Sequence, residues 1–169
     1  MATFGRTDTS GDDSTFGENF KGVTSFTLSE AGNVNKLSFY VSAAGSARVA
    51  RGIIYSDNAG SPDGLLAVGS EVAIADSAPL AWYDSFVSPP VVLTPGVFWL
   101  GWFLGGGVIH YVTPGDQLRK YKAEGYVAIP ETPFGAITGE DNFGLTVYAT
   151  YTPVGAQQLQ PLRGGTGLW

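Results

Sequence analysis

The sequence predicts an all-β fold, a two-sheet antiparallel β-sandwich of jelly-roll type with about eight or nine strands and an extended C-terminal arm. Three observations lead there. Apolar residues recur with period two in short runs along most of the chain. Clusters of Gly, Pro, Asn and Asp separate those runs, and 24 glycines and 10 prolines supply them. No window carries apolar residues at three-four spacing behind a capping box, so no helices cross between strands and parallel pairing is not expected.

Residues 1–21 are polar and Gly-rich, with Phe4, Phe16 and Phe20 as isolated anchors. They read as an N-terminal extension or first edge segment. The first regular strand is expected over 22–28, and SEAGN at 29–33 turns the chain. A strand over 34–41 places Leu37, Phe39 and Val41 on one face. Residues 47–56 alternate next, then DNAGSPDG at 57–64 is the strongest loop signal in the chain. Strands follow at 65–74, 81–87 and, briefly, 91–93. After TPG at 94–96, residues 97–104 are apolar at every position but Gly101. That pattern fits a strand covered on both sides. Short strands are expected at 109–112 and 118–121, and 143–151 alternates cleanly to close a sandwich domain over 22–152.

Residues 153–169 break the pattern. PVGAQQLQPLRGGTGLW has two prolines and no alternation, so it does not read as a central strand. It nevertheless carries Leu159, Leu162, Leu168 and Trp169, which a solvated tail would gain nothing from. They are the expected partner-binding residues of an arm. A 17-residue extended arm reaches roughly 55–60 Å, enough to cross to a neighbour.

Composition narrows the function classes. The net charge is −6 and the sequence pI about 4.5. Nucleic-acid binding draws its affinity from a basic face, so it is not expected. The one basic cluster, Arg119, Lys120 and Lys122, reads as a solvated strand or loop face. There are no cysteines, which excludes disulfides, thiolate catalysis and Cys-ligated zinc. The N-terminus lacks an apolar h-region, so no secretory signal peptide is expected. The apolar stretch 91–112 is too interrupted to span a membrane.

Catalytic, metal and cofactor signals are weak. His110 is the only histidine, and alternation sets it opposite Ile109 and Tyr111. No GxSxG elbow accompanies it. The neighbouring carboxylates Asp12–Asp13 and Glu140–Asp141 sit in Gly-rich segments with nothing to pair them across a cleft. Asp57, Asn58 and Asp63 share a loop, but they do not match an EF-hand and read as turn formers. GVFWLGWFLGGG lacks the GK[ST] ending of a phosphate loop. No catalytic residue, metal or cofactor is therefore assigned. Among the aromatics, Trp99 and Trp102 read as core. Trp82 and Tyr83 lie in the more polar run AWYDSF and are the candidate glycan-binding residues, with Trp82 sharing a face with Asp84 and Phe86.

The segments FGRT, LSEAGNVNKLSFYVS, GIIYSDNAGSPDGLLAVGSEV, AWYDSF, PPVVLTPGVFWLGWF and FGLTVYATYTP together resemble a jelly-roll-like module. That module occurs in tailed-bacteriophage virion proteins and in bacterial surface proteins beside carbohydrate-active domains. The resemblance covers most of residues 4–152 and leaves the arm outside. It implies a binding or structural role with no catalytic residues. The expected function is therefore a non-enzymatic virion structural protein, a capsid decoration (cementing) protein. Its expected partners are the major capsid protein or other virion proteins and further copies of itself, with a trimer as one arrangement. The alternative is a carbohydrate-binding, host-adhesion module of a phage tail or fibre.

Overall fold

The computed structural model describes residues 1–43, 45–115 and 117–155, so the arm residues Leu159, Leu162, Leu168 and Trp169 lie outside the described part. Twelve strands and no helix make up the described chain. They are β1 (Ala2–Gly5), β2 (Asp12–Phe16), β3 (Phe20–Leu28), β4 (Gly32–Ala43), β5 (Arg48–Asp57), β6 (Pro62–Ile74), β7 (Ala81–Leu93), β8 (Gly96–Gly105), β9 (Ile109–Thr113), β10 (Arg119–Ala123), β11 (Gly139–Asp141) and β12 (Val147–Pro153).

Two six-stranded sheets face each other. In the first, β4 is central. It pairs with β7 along one side and with β12 and then β9 along the other. Outside these lie β1, paired to β12, and β2, paired to β9. The second sheet runs β11-β10-β3-β8-β5-β6. Every pairing between these strands is antiparallel.

Twelve strands replace the eight or nine expected, and the physical reason is local. β1, β2 and β11 are short, and DDSTF and GED carry charges where a period-two run would show apolar residues. They are edge segments held by their partners' ladders, and charge on an edge blunts unwanted pairing. Residues 1–21, read as an extension or edge, supply two of them. The runs 81–87 and 91–93 belong to one strand. Its register against β4 slips from Lys36↔Phe86 to Val34↔Val91, so Val87–Pro90 bulge opposite Asn35.

The interior between the sheets is aromatic-rich. Phe39, Trp102 and Tyr111 are fully buried with Leu37, Ile54 and Leu100 around them. Trp102 meets Phe16 and Tyr111 edge-on, with centroids 6.1 and 5.5 Å away, a favoured arrangement for ring quadrupoles. A second, smaller cluster sits on the far face of the second sheet: Val23, Ile53, Tyr55, Trp99 and Phe103, capped by Phe134. The segment 124–138 folds back over these residues, so β8 is buried on both faces, as its unbroken apolar run predicts.

Ser85 stitches the sheets together at one side. Its hydroxyl donates to the Ser70 carbonyl oxygen at 2.7 Å and accepts from the Gly52 N–H at 2.9 Å. Gly52 lies at a register shift in β5. A Cβ there would sit 2.7 Å from Leu37 Cβ, so only glycine lets the two sheets approach this closely.

Candidate binding surfaces

The basic cluster is the clearest correction to the sequence reading. Arg119 and Lys120 are buried, not solvated. Alternation along β10 sends them to opposite faces, and each meets an acid. Arg119 faces inward and pairs with Asp141, donating from Nε to Oδ1 at 3.0 Å. Its guanidinium lies 5.2 Å from the Phe16 centroid and 5.1 Å from that of Tyr121. Lys120 faces outward, donates to the Gly60 carbonyl oxygen at 2.7 Å and lies 5.3 Å over Trp99. Lys122 pairs with Glu131. The β10–β11 register, Arg119↔Asp141 and Lys120↔Glu140, is what brings acid to base. Desolvated cations need such partners. The carboxylates at 140–141 are thus tied into ion pairs.

Lys21 is the most deeply buried charge. Its Nζ contacts Glu124 Oε2 at 2.6 Å, donates to Tyr55 Oη at 3.1 Å and lies 4.6 Å from the Phe134 ring centre. Burial pulls its pKa below the usual lysine range, while the bond to Glu124 pushes the other way. Tyr55 donates to the Glu131 carbonyl oxygen at 2.7 Å. Burial raises its pKa, and the acids at 124 and 131 add to the effect. These contacts strap segment 124–138 to the sheet.

The loop 57–64 is a turn device. Asp57 accepts from the Gly60 N–H at 3.1 Å with one oxygen and from the Trp99 indole N–H at 2.8 Å with the other. Asp63 offers its backbone carbonyl to the Phe134 N–H at 2.7 Å. Among the described residues no group of three or more His, Asp or Glu side chains is placed to hold a metal ion. His110 lies on the outer face of the first sheet, opposite Ser42 and Thr15.

The candidate glycan residues separate. Tyr83 turns inward and packs against the main core. Trp82 is on the opposite, outer face, half-buried between two tyrosines. Its indole lies 5.2 Å from Tyr40 and 4.9 Å from Tyr148. Ser38 sits under this group and is fully buried although it belongs to the outer face. Beside it Asp84 accepts from Ser38 Oγ at 2.6 Å and from Lys36 Nζ at 3.0 Å. Partial burial alone would raise the Asp84 pKa. The bonds from Ser38 and Lys36 outweigh that and hold it below the usual carboxylate range. Tyr40 and Tyr148 come from distant strands, so no local pattern marks them as Trp82's neighbours.

No protein-family model and no curated protein matches the chain.

An apolar band along β6 went unread in the sequence. Among the described residues β6 is an edge strand with only β5 as partner. Opposite Ile54 and Tyr55 it presents three residues, Leu65, Leu66 and Ala67. The extra one, Leu66, is left outside the ladder and is 37% exposed. On one side a hollow of ≈ 480 Å³ opens between Leu66 and Ile129 of the covering segment. On the other a hollow of ≈ 300 Å³ opens between Leu66 and the Pro89–Pro90 bulge of β7. Ile129 is 71% exposed and Val127 48%. The β7 bulge and the β6 bulge create this surface together, and register shifts of that kind leave no trace in single-strand alternation.

Proposed function

We propose that the chain is a non-enzymatic structural protein of a virus particle, a capsid decoration protein of the tailed-bacteriophage type, which binds neighbouring copies of itself and the particle surface. The observation that carries this reading is the apolar band of Leu66, Ile129, Pro89 and Pro90 along the β6 edge. Contiguous exposed apolar surface along a sheet edge fits a protein–protein contact. Other features support the same reading. Charged side chains are spent on holding the fold: Asp141 on Arg119, Glu124 on Lys21 and Glu131 on Lys122. The sequence resemblance to virion jelly-roll modules points to the same role.

The test compares wild type, the double variant Leu66→Asp/Ile129→Asp and the chain shortened to residues 1–155. Each is measured by sedimentation velocity and by co-sedimentation with undecorated particles. Wild type should self-associate and co-sediment, and the double variant should do neither while keeping its circular dichroism. Loss of binding on shortening would assign a second grip to the arm. Wild type that stays monomeric and leaves particles bare would overturn the reading.

A further inference from the structure

We infer that the outer face of the first sheet is a binding site for neutral oligosaccharides, built from Trp82, Tyr40, Tyr148, Asp84 and Phe86. It shares strand β7 with the assembly band, whose Pro89–Pro90 bulge follows Phe86, but the variants that test the band, at Leu66 and Ile129, lie on other elements, so either reading can fail alone.

The site is made by register. Trp82 stands directly across from Tyr40, Asp84 across from Ser38, and Phe86 across from Lys36. On the other side of β4, Tyr148 stands across from Ser38. Because side chains on one face repeat every second residue, Trp82, Asp84 and Phe86 form a row. The row begins with a three-ring group, passes a carboxylate and ends on a phenyl ring that is 58% exposed. Its ends are about 13 Å apart, at about 3.3 Å per residue. That length suits a short run of linked sugar rings.

The chemistry matches the ligand class. The C–H face of a pyranose is apolar and flat enough to lie on an aromatic ring, so rings spaced along a strand supply contact area at little entropic cost. The hydroxyl rim needs fixed acceptors and donors. Asp84 is such an acceptor. Its carboxylate is held in place by Ser38 and Lys36 and kept ionised by them. Lys36 supplies the donor. A fully buried serine beneath half-buried rings means that the ring group is already formed, with little reorganisation left to pay on binding. Charge selects among sugars. The chain carries a net −6, and Lys36, the one cation of the site among the described residues, is already paired with Asp84. Sialylated or uronic-acid glycans are therefore disfavoured, and neutral hexose or N-acetylhexosamine chains are favoured.

The experiment is a nuclear magnetic resonance titration of the full chain. The probes are tetrasaccharides of glucose, galactose and N-acetylglucosamine, with a uronic-acid tetrasaccharide as the acidic comparison. At least one neutral probe should bind, with shifts centred on Trp82 and Tyr148. Trp82→Ala and Asp84→Asn should each weaken it by about tenfold, the loss of one well-placed contact. Tyr83→Phe, altered on the opposite face, should leave it unchanged. Tyr148→Leu gives a further variant should Trp82→Ala fail to fold. If no neutral probe moves the spectrum, if the acidic probe binds better, or if binding survives both Trp82→Ala and Asp84→Asn, the inference is wrong.

Discussion

Lys21 Nζ lies 2.6 Å from Glu124 Oε2 beneath the segment that covers the second sheet, with the lysine side chain fully buried. One partner comes from β3 and the other from the covering segment, so this contact joins that segment to the sandwich. Glu124→Gln would strip the countercharge and leave an ammonium in an apolar chamber walled by Phe134 and Tyr55. Removing one member of a buried pair costs about 3–5 kcal/mol, and the remaining bonds to Tyr55 and the Glu131 carbonyl favour the lower end. Urea unfolding should show that loss for Glu124→Gln and a much smaller one for Lys21→Met/Glu124→Gln, which removes both charges.

Alkaline pH should act on the same region in two opposed steps. Lys21 has a lowered folded pKa, against an ordinary value of 10.5. Between the two values the unfolded chain holds more protons, so this group makes stability rise with pH. Tyr126 works the other way. Burial, then its bond to Glu71 at 2.9 Å, pushes its pKa up from 10.0 to about 12. Between pH 10 and about 12 the folded chain keeps a proton that the unfolded chain loses, so stability falls as pH rises. Tyr126→Phe should flatten part of that fall. Thermal melts across the range, read with phenolate absorbance, would show it. An equally steep decline in the variant would contradict the assignment.

Ser85 gives a third prediction. Its hydroxyl satisfies the Gly52 N–H and the Ser70 carbonyl at once, and it is fully buried. Ser85→Ala orphans both, at a cost of about 2 kcal/mol. Slowed amide exchange at Gly52 should be lost in the variant. Retained protection there would mean that the sheets are held by other contacts.

The fold class was legible because alternation and turn chemistry agree along most of the chain. Residues 34–41 show why. Leu37, Phe39 and Val41 alternate with polar partners, and all three are buried in the structure. β8 was legible on both faces because its apolar run has no polar gap. What escaped was set by pairing. Arg119 and Lys120 look like a solvated pair in sequence. Only the register of β10 against β11 supplies Asp141 and Glu140 to neutralise them. Leu66 and the Pro89–Pro90 bulge looked like ordinary strand and turn residues until two slipped registers set them side by side. Trp82 and Tyr83 read alike in the sequence as candidate exposed aromatics; pairing with β4 sets Trp82 on the outer face and Tyr83 on the inner one, and Tyr148 comes from the far end of the chain.

The most direct measurement is the sedimentation velocity of the full chain over a wide concentration range, wild type beside Leu66→Asp/Ile129→Asp. If the β6 edge is an assembly surface, wild type will shift to a larger species as concentration rises and the double variant will remain a folded monomer. A wild type that is monomeric throughout, or a variant that associates equally well, would contradict the assignment.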